Sequence, residues 1–142
     1  MSNDNEIEAI RQKKMSEMVN KNIIALPEDV VNIDSVDHFN QIVNDYQDSL
    51  IIVDFWAEWC GPCKAFGPHF EALQKEYLKE GKNVIFSKLN VDHHQSIAQQ
   101  FQVSGIPTTL FIKGKKLVHR QVGMAPKAQF AQIIESVLKK IE

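Results

Sequence analysis

The sequence predicts an α/β fold, a three-layer sandwich with a central mixed sheet and helices on both faces. Three observations predict it. "SLIIVDFWA" (49–57) is a near-continuous hydrophobic run, the mark of a strand buried on both faces. Strand-like and helix-like patterns alternate from residue 30 onward, which pairs neighbouring strands in parallel through right-handed crossovers. "PTTLFIKGKKLVHRQVG" (107–123) then gives two β runs around Gly114, an antiparallel hairpin that makes the sheet mixed.

The elements follow in the order βαβαβαββα. "VVNI" (30–33) reads as a short strand, and "DSVDHFNQIVNDY" (34–46) as a helix capped by Asp34 or Ser35 with Val36, Phe39, Ile42 and Val43 on its inner face. After the central strand, Pro62 suits the first turn of a helix. Phe66, Phe70, Leu73 and Tyr77 continue that helix to a stop at Gly81, with Pro68 expected to bend it. "NVIFSKLNV" (83–91) is a further strand, followed by a short helix near residues 95–101 that Asp92 is placed to cap. "APKAQFAQIIESVLKKI" (125–141) closes the chain as an amphipathic helix, opened by Pro126 and ended by Lys139 and Lys140, which complement the helix dipole.

Residues 1–29 stand apart from the domain expected over 30–142. Ile7, Ile10, Met15, Met18 and Val19 fall on one stripe of an amphipathic helix that Pro27 ends. Two readings stay open for it: an extension resting on the domain, or a docking helix for a partner or a second chain.

Composition narrows the function. At 44% hydrophobic and 24% charged residues, the 142-residue chain is expected to form one globular domain. Its 16 basic and 18 acidic side chains leave a formal net charge of −2, so no field gathers a polyanion and nucleic acid is not an expected partner. The apolar stretch Leu50 to Val53 is far shorter than the roughly 20 residues a membrane span needs. "MSNDNEIEAIRQKK" carries charges where a secretory signal would be apolar, and a cytoplasmic location is expected.

Both cysteines lie in "FWAEWCGPCKAFGP" (55–68), with Gly61 and Pro62 between them. In a reducing compartment they are poor candidates for a structural staple, and so small a ring constrains the unfolded chain little. The spacing points to redox chemistry instead. A thiol attacks a disulfide only as thiolate, and a helix beginning near Pro62 puts Cys60 among unpaired N–H groups that stabilise an anion. Cys60 is then the nucleophile, left exposed by the rigid surface of Trp59 and Pro62. Cys63, one turn further on, is the resolving thiol that closes the ring. A structural zinc site would need four ligands, and there is no second cysteine pair to complete one with His38, His69, His93, His94 or His119; no metal is expected.

Asp54 is an aspartate inside the apolar run. With a two-residue period it shares a face with Ile52 and Trp56, so its carboxyl is expected in low dielectric with a raised pKa, placed to take a proton from Cys63. The plainer alternative is a strand-end aspartate bonded to backbone amides. Lys88 reads either as its charge partner across the sheet or as a lysine that reaches solvent. In "SGIPTT" (104–109), Gly105 before Ile106 and Pro107 fits a tight turn able to hold a cis bond.

Taken together, "VDFWAEWCGPCK" (53–64), Pro68, "KLNVD" (88–92), "GIPTTLFIKG" (105–114) and "VGMAPK" (122–127) resemble the thioredoxin family in order and spacing across residues 30–142. The resemblance implies a thioredoxin-like fold and a protein-disulfide reductase. It implies Cys60 as exposed nucleophile, Cys63 as resolving thiol, Asp54 as buried proton acceptor with Lys88 beside it, and a cis Pro107 facing the cysteines. It also implies a shallow substrate-binding patch of Trp59, Gly61, Pro62, Ile106, Pro107, Gly123 and Met124, with Ile106 pairing backbone to backbone with the substrate. Gly67 and His69 beside Pro68 depart from the small and aliphatic residues usual in the family. The partners implied are disulfide-containing proteins and a separate donor, a thioredoxin reductase or equivalent flavoprotein, because the chain has no dinucleotide fingerprint. No cofactor beyond the Cys60–Cys63 couple is implied, and a monomer is expected. An oxidase or isomerase, or a binding subunit using the same surface, are the alternatives.

Overall fold

The computed structural model of the chain describes residues 6–11 and 25–142. Nine elements follow in the expected order: β1 (Val31–Asn32), α1 (Val36–Asp45), β2 (Leu50–Trp56), α2 (Gly61–Lys79), β3 (Val84–Asn90), α3 (Gln95–Gln100), β4 (Thr108–Lys113), β5 (Lys116–Val122) and α4 (Lys127–Lys140). Residues 6–11 are also helical, with Ile7 and Ile10 exposed; Met15, Met18 and Val19 lie outside the described residues. Among the described residues no helix is long and apolar enough to cross a membrane.

The five strands form one sheet in the order β1-β3-β2-β4-β5. β3 runs parallel to both β1 and β2, whereas β4 is antiparallel to β2 and to β5. β2 is therefore central, which is why its sequence is apolar on both faces. Leu50 and Ile52 enter a core with Phe66, Phe70, Phe111 and Phe130, beneath α2 and α4. Ile51, Val53 and Phe55 enter a second core with Phe39, Ile42 and Ile97, beneath α1 and α3. These two cores separate the three layers.

Local chemistry fixes the ends of the elements. Ser35 caps α1, its hydroxyl accepting from the His38 N–H at 2.9 Å. Val36, in the first turn of that helix, is exposed rather than turned inward, because the packed stripe starts at Phe39. Gly81 follows α2 with φ +70°, a conformation glycine adopts without the Cβ penalty. Gly114 and Lys115 both have positive φ, matching a two-residue hairpin loop. The chain entering β1 is tied down as well: the buried amide of Gln74 donates to the carbonyls of Glu28 at 3.1 Å and Pro27 at 3.5 Å.

Candidate active site

The carboxyl end of β2 is where the two cysteines emerge. Cys60 is the N-cap of α2, in extended conformation with φ −89° and ψ 107°, and its Sγ accepts from the Cys63 N–H at 3.3 Å. Pro62 in the first turn has no N–H to leave unpaired there. Cys60 and Cys63 are joined as a disulfide with their Cα atoms 5.3 Å apart. The cap places the Cys60 sulfur at the positive end of a 19-residue helix, where negative charge is favoured.

The exposure expected of Cys60 is not found in this disulfide state: Cys60 is 4% accessible and Cys63 3%. Packing covers Cys60: it clusters with Ala57 and Cys63 against Ile106, and Sγ lies 3.8 Å from the Ile106 carbonyl oxygen. A disulfide sulfur has no hydrogen to donate, so that approach is packing rather than a hydrogen bond.

The rim around the pair is open. Trp59 is 70% accessible and Met124 41%, while Gly61 and Pro62 are exposed. The Ile106–Pro107 bond is cis, as the resemblance implied, and the Gly123 N–H donates to the Pro107 carbonyl at 2.8 Å. That bond draws the end of β5 beside the Ile106 loop, and Gly123, at φ +87°, supplies the turn. Asp92 does not cap α3, whose N-cap His94 makes no side-chain cap bond. Its carboxylate instead accepts from Trp59 Nε1 at 2.9 Å, and Asn90 Oδ1 holds the turn by accepting from the Asp92 N–H at 2.9 Å.

Behind the disulfide a cavity of about 110 Å³ is lined by Asp54, Trp56, Cys63, Lys64, Gly67, Phe70, Glu71 and Lys88. Asp54 is 2% accessible and its Oδ1 has no hydrogen-bond partner, so the bonded strand-end alternative does not describe that oxygen. Burial raises its pKa to about 7, opposed by the nearby charge of Lys88. Lys88 is the register partner of Asp54 on β3, yet its ammonium lies 4.0 Å from Glu71 Oε1 and 4.9 Å from the Trp56 ring centroid. Lys88 thus stands beside the acid as a charge without forming its ion pair.

Three residues near this site carry no sequence signal for their place in it. The position of Asp92 predicts a helix cap, and only the fold brings it to Trp59. Glu71 carries no signal beyond an exposed helix position. Thr109 looks like any β-former in "PTTLFI", although it is fully buried opposite Asp54. Among the described residues no group of three or more His, Cys, Asp or Glu side chains is arranged to hold a metal ion.

Comparison with known proteins agrees with this geometry. The thioredoxin family model matches residues 30–136. A thioredoxin of Chlorobaculum thiosulfatiphilum is 49% identical over 88 residues, covering 62% of this chain and 79% of the relative. A thioredoxin of Haemophilus influenzae is 42% identical over 106 residues, covering 75% and 94% respectively. The X-ray structure of Fasciola hepatica thioredoxin superposes with a TM-score of 0.69 at 34% identity, over 75% of this chain and 98% of the other.

Proposed function

Because the chain belongs to the thioredoxin family and is a thiol–disulfide oxidoreductase that reduces protein disulfides through its Cys60–Cys63 couple, we propose a division of labour among its side chains. Cys60 is the attacking sulfur and Cys63 the resolving one. The observation that carries this assignment is the helix cap: Cys60 Sγ, at the head of α2, accepts from the Cys63 N–H at 3.3 Å.

In the reduced protein the Cys60 thiolate attacks one sulfur of the substrate disulfide. The substrate S–S bond breaks, a Cys60–substrate disulfide forms, and the first substrate thiolate leaves to take up a proton. Asp54 then accepts the proton of the Cys63 thiol within the shared cavity. The Cys63 thiolate attacks Cys60 Sγ, releasing the second substrate thiolate and closing the ring present in this structure. Substrate gains two electrons and two protons, and the dithiol becomes a disulfide. Asp54 suits this step because burial puts its pKa near neutrality, at about 7, where a group both takes and returns protons. Lys88 assists by limiting that rise through its charge.

Trp59, Gly61, Pro62, Ile106, Pro107, Gly123 and Met124 form the docking surface of the proposal. An extended substrate chain lies across it and pairs with the backbone at Ile106. A separate flavoprotein reductase or equivalent returns the electrons, and the protein works as a monomer in the cytoplasm. The cytoplasmic reading is supported by both cysteines being committed to the couple, with none left for the cross-links that secreted domains use. The proposal also places the domain at residues 30–142, with 1–29 as its extension.

The test is turnover of a disulfide-bonded test protein with a dithiol donor. Wild type turns over; Cys60→Ser does not. Comparable rates for the two would reject the assignment, and sedimentation of the full chain checks the monomer.

A further inference from the structure

A row of polar residues crosses the sheet at the level of Asp54. Register pairs Asn32 with Lys88, Lys88 with Asp54, Asp54 with Thr109 and Thr109 with Gln121, one residue from each of the five strands. Two residues along on the same face, the corresponding row through β3, β2 and β4 is Phe86, Ile52 and Phe111, all buried. Within the polar row, Asp54 and Thr109 are the most deeply buried, at 2% and 0% accessibility. Among the described residues, their Asp54 Oδ1 and Thr109 Oγ1 are the buried side-chain oxygens or nitrogens without a hydrogen-bond partner.

Buried polar atoms are nearly always satisfied, and leaving one unpaired forfeits its hydration without return. Directly opposed residues on antiparallel strands have Cβ atoms about 4.5–5.5 Å apart, which puts these two side chains within reach of one another. A carboxylate only accepts, whereas a carboxylic acid also donates; a hydroxyl can answer both. From this juxtaposition we propose that Thr109 is a positioning residue for the resolving step: its hydroxyl bonds the Asp54 carboxyl in both protonation states and keeps it aimed at Cys63. The proposal rests on the reading of Asp54 as the acceptor of the Cys63 proton, and it adds a partner which that reading lacks.

The consequence is a specific pH dependence. A hydroxyl that donates to the carboxylate favours the charged form, as does Lys88, and both oppose the effect of burial. The titratable groups lining the Asp54 cavity are Cys63, Lys64 and Glu71 from α2 and Lys88 from β3. Thr109 faces Asp54 from β4 without charge. Replacing Thr109 by valine keeps the shape and leaves every one of those charges in place.

The experiment follows the Asp54 carboxyl carbon by NMR as a function of pH in the full-length disulfide form, where neither cysteine titrates. Wild type is compared with Thr109→Val and Thr109→Ser. The expected result is an Asp54 midpoint raised by roughly one pH unit in Thr109→Val, and close to wild type in Thr109→Ser. The pH profile of mixed-disulfide resolution should move with it. Equal midpoints in wild type and Thr109→Val would overturn the proposal, as would a serine variant that behaves like valine. Asp54→Asn separates the two readings. If it leaves the pH profile of resolution unchanged, Asp54 is not the proton acceptor, even where Thr109→Val has moved the carboxyl titration.

Discussion

The indole N–H of Trp59 donates to the Asp92 carboxylate at 2.9 Å, tying the residue before Cys60 to the turn after β3. Trp59 is 70% accessible, so this bond orients an exposed ring rather than filling a core. Asp92→Ala should leave stability within about 1 kcal/mol of wild type while releasing the ring. Losing about 1 kcal/mol of substrate positioning corresponds to a roughly five-fold rise in KM. Trp59 fluorescence anisotropy and protein-disulfide kinetics check it; unchanged values in both would show that the bond does not orient the docking surface.

The helix cap predicts unequal thiols. After reduction, iodoacetamide at pH 7 should alkylate Cys60 well before Cys63, as read by peptide mass mapping. Cys63→Ser should accumulate a covalent adduct with a protein substrate on non-reducing gels, and Cys60→Ser should form none. Faster labelling of Cys63 would reverse the two roles.

Asp54 predicts an unusual dependence of stability on pH. Its folded pKa, about 7, lies above its ordinary value of 3.8, so the folded state holds a proton that the unfolded state has lost between those two values. Stability contributed by Asp54 is therefore lost as pH rises from about 4 to about 7, and the full penalty remains above that. At about 1.4 kcal/mol per pH unit over that rise, Asp54→Asn should be more stable than wild type at pH 8 by on the order of 4 kcal/mol. The difference should vanish near pH 4. Urea unfolding across that range checks it, and a gain that does not vary with pH would count against burial as its cause.

Phe130 is the hub of the core beneath α2 and α4, its ring centroid 4.9 Å from Phe66, 6.0 Å from Phe111 and 6.1 Å from Phe70. Phe130→Ala should cost about 3–5 kcal/mol in urea unfolding, and Phe130→Leu clearly less. A loss under about 1 kcal/mol would mean that the neighbouring rings close the space.

The fold was legible because its signals are local. The apolar run through Val53, the proline after Cys60, the glycines at 81 and 114 and the heptad-like spacing from Phe66 each specify an element without help from distant residues. The Cys60–Cys63 pair and the burial of Asp54 were legible because those residue types are chemically conspicuous in that setting. The rest depends on register and packing. Nothing in "PTTLFI" tells that Thr109 will sit beside Asp54 with an unpaired oxygen, and nothing in "NVDHH" tells that Asp92 turns to an indole thirty-three positions earlier. The covering of Cys60 by Ala57 and Ile106 is likewise a matter of tertiary packing that "EWCGPC" does not carry.

The hold of Gln74 on the Pro27 and Glu28 carbonyls bears on where the chain can be shortened. A protein cut to begin at Val30 would match the family span, but it would strip a sunken amide of both acceptors and loosen the strand that follows. One that begins at Ala25 keeps those acceptors, along with the carbonyl that receives the Tyr46 hydroxyl. The contacts that secure the first strand thus reach back into the extension, ahead of residue 30 where the family match begins.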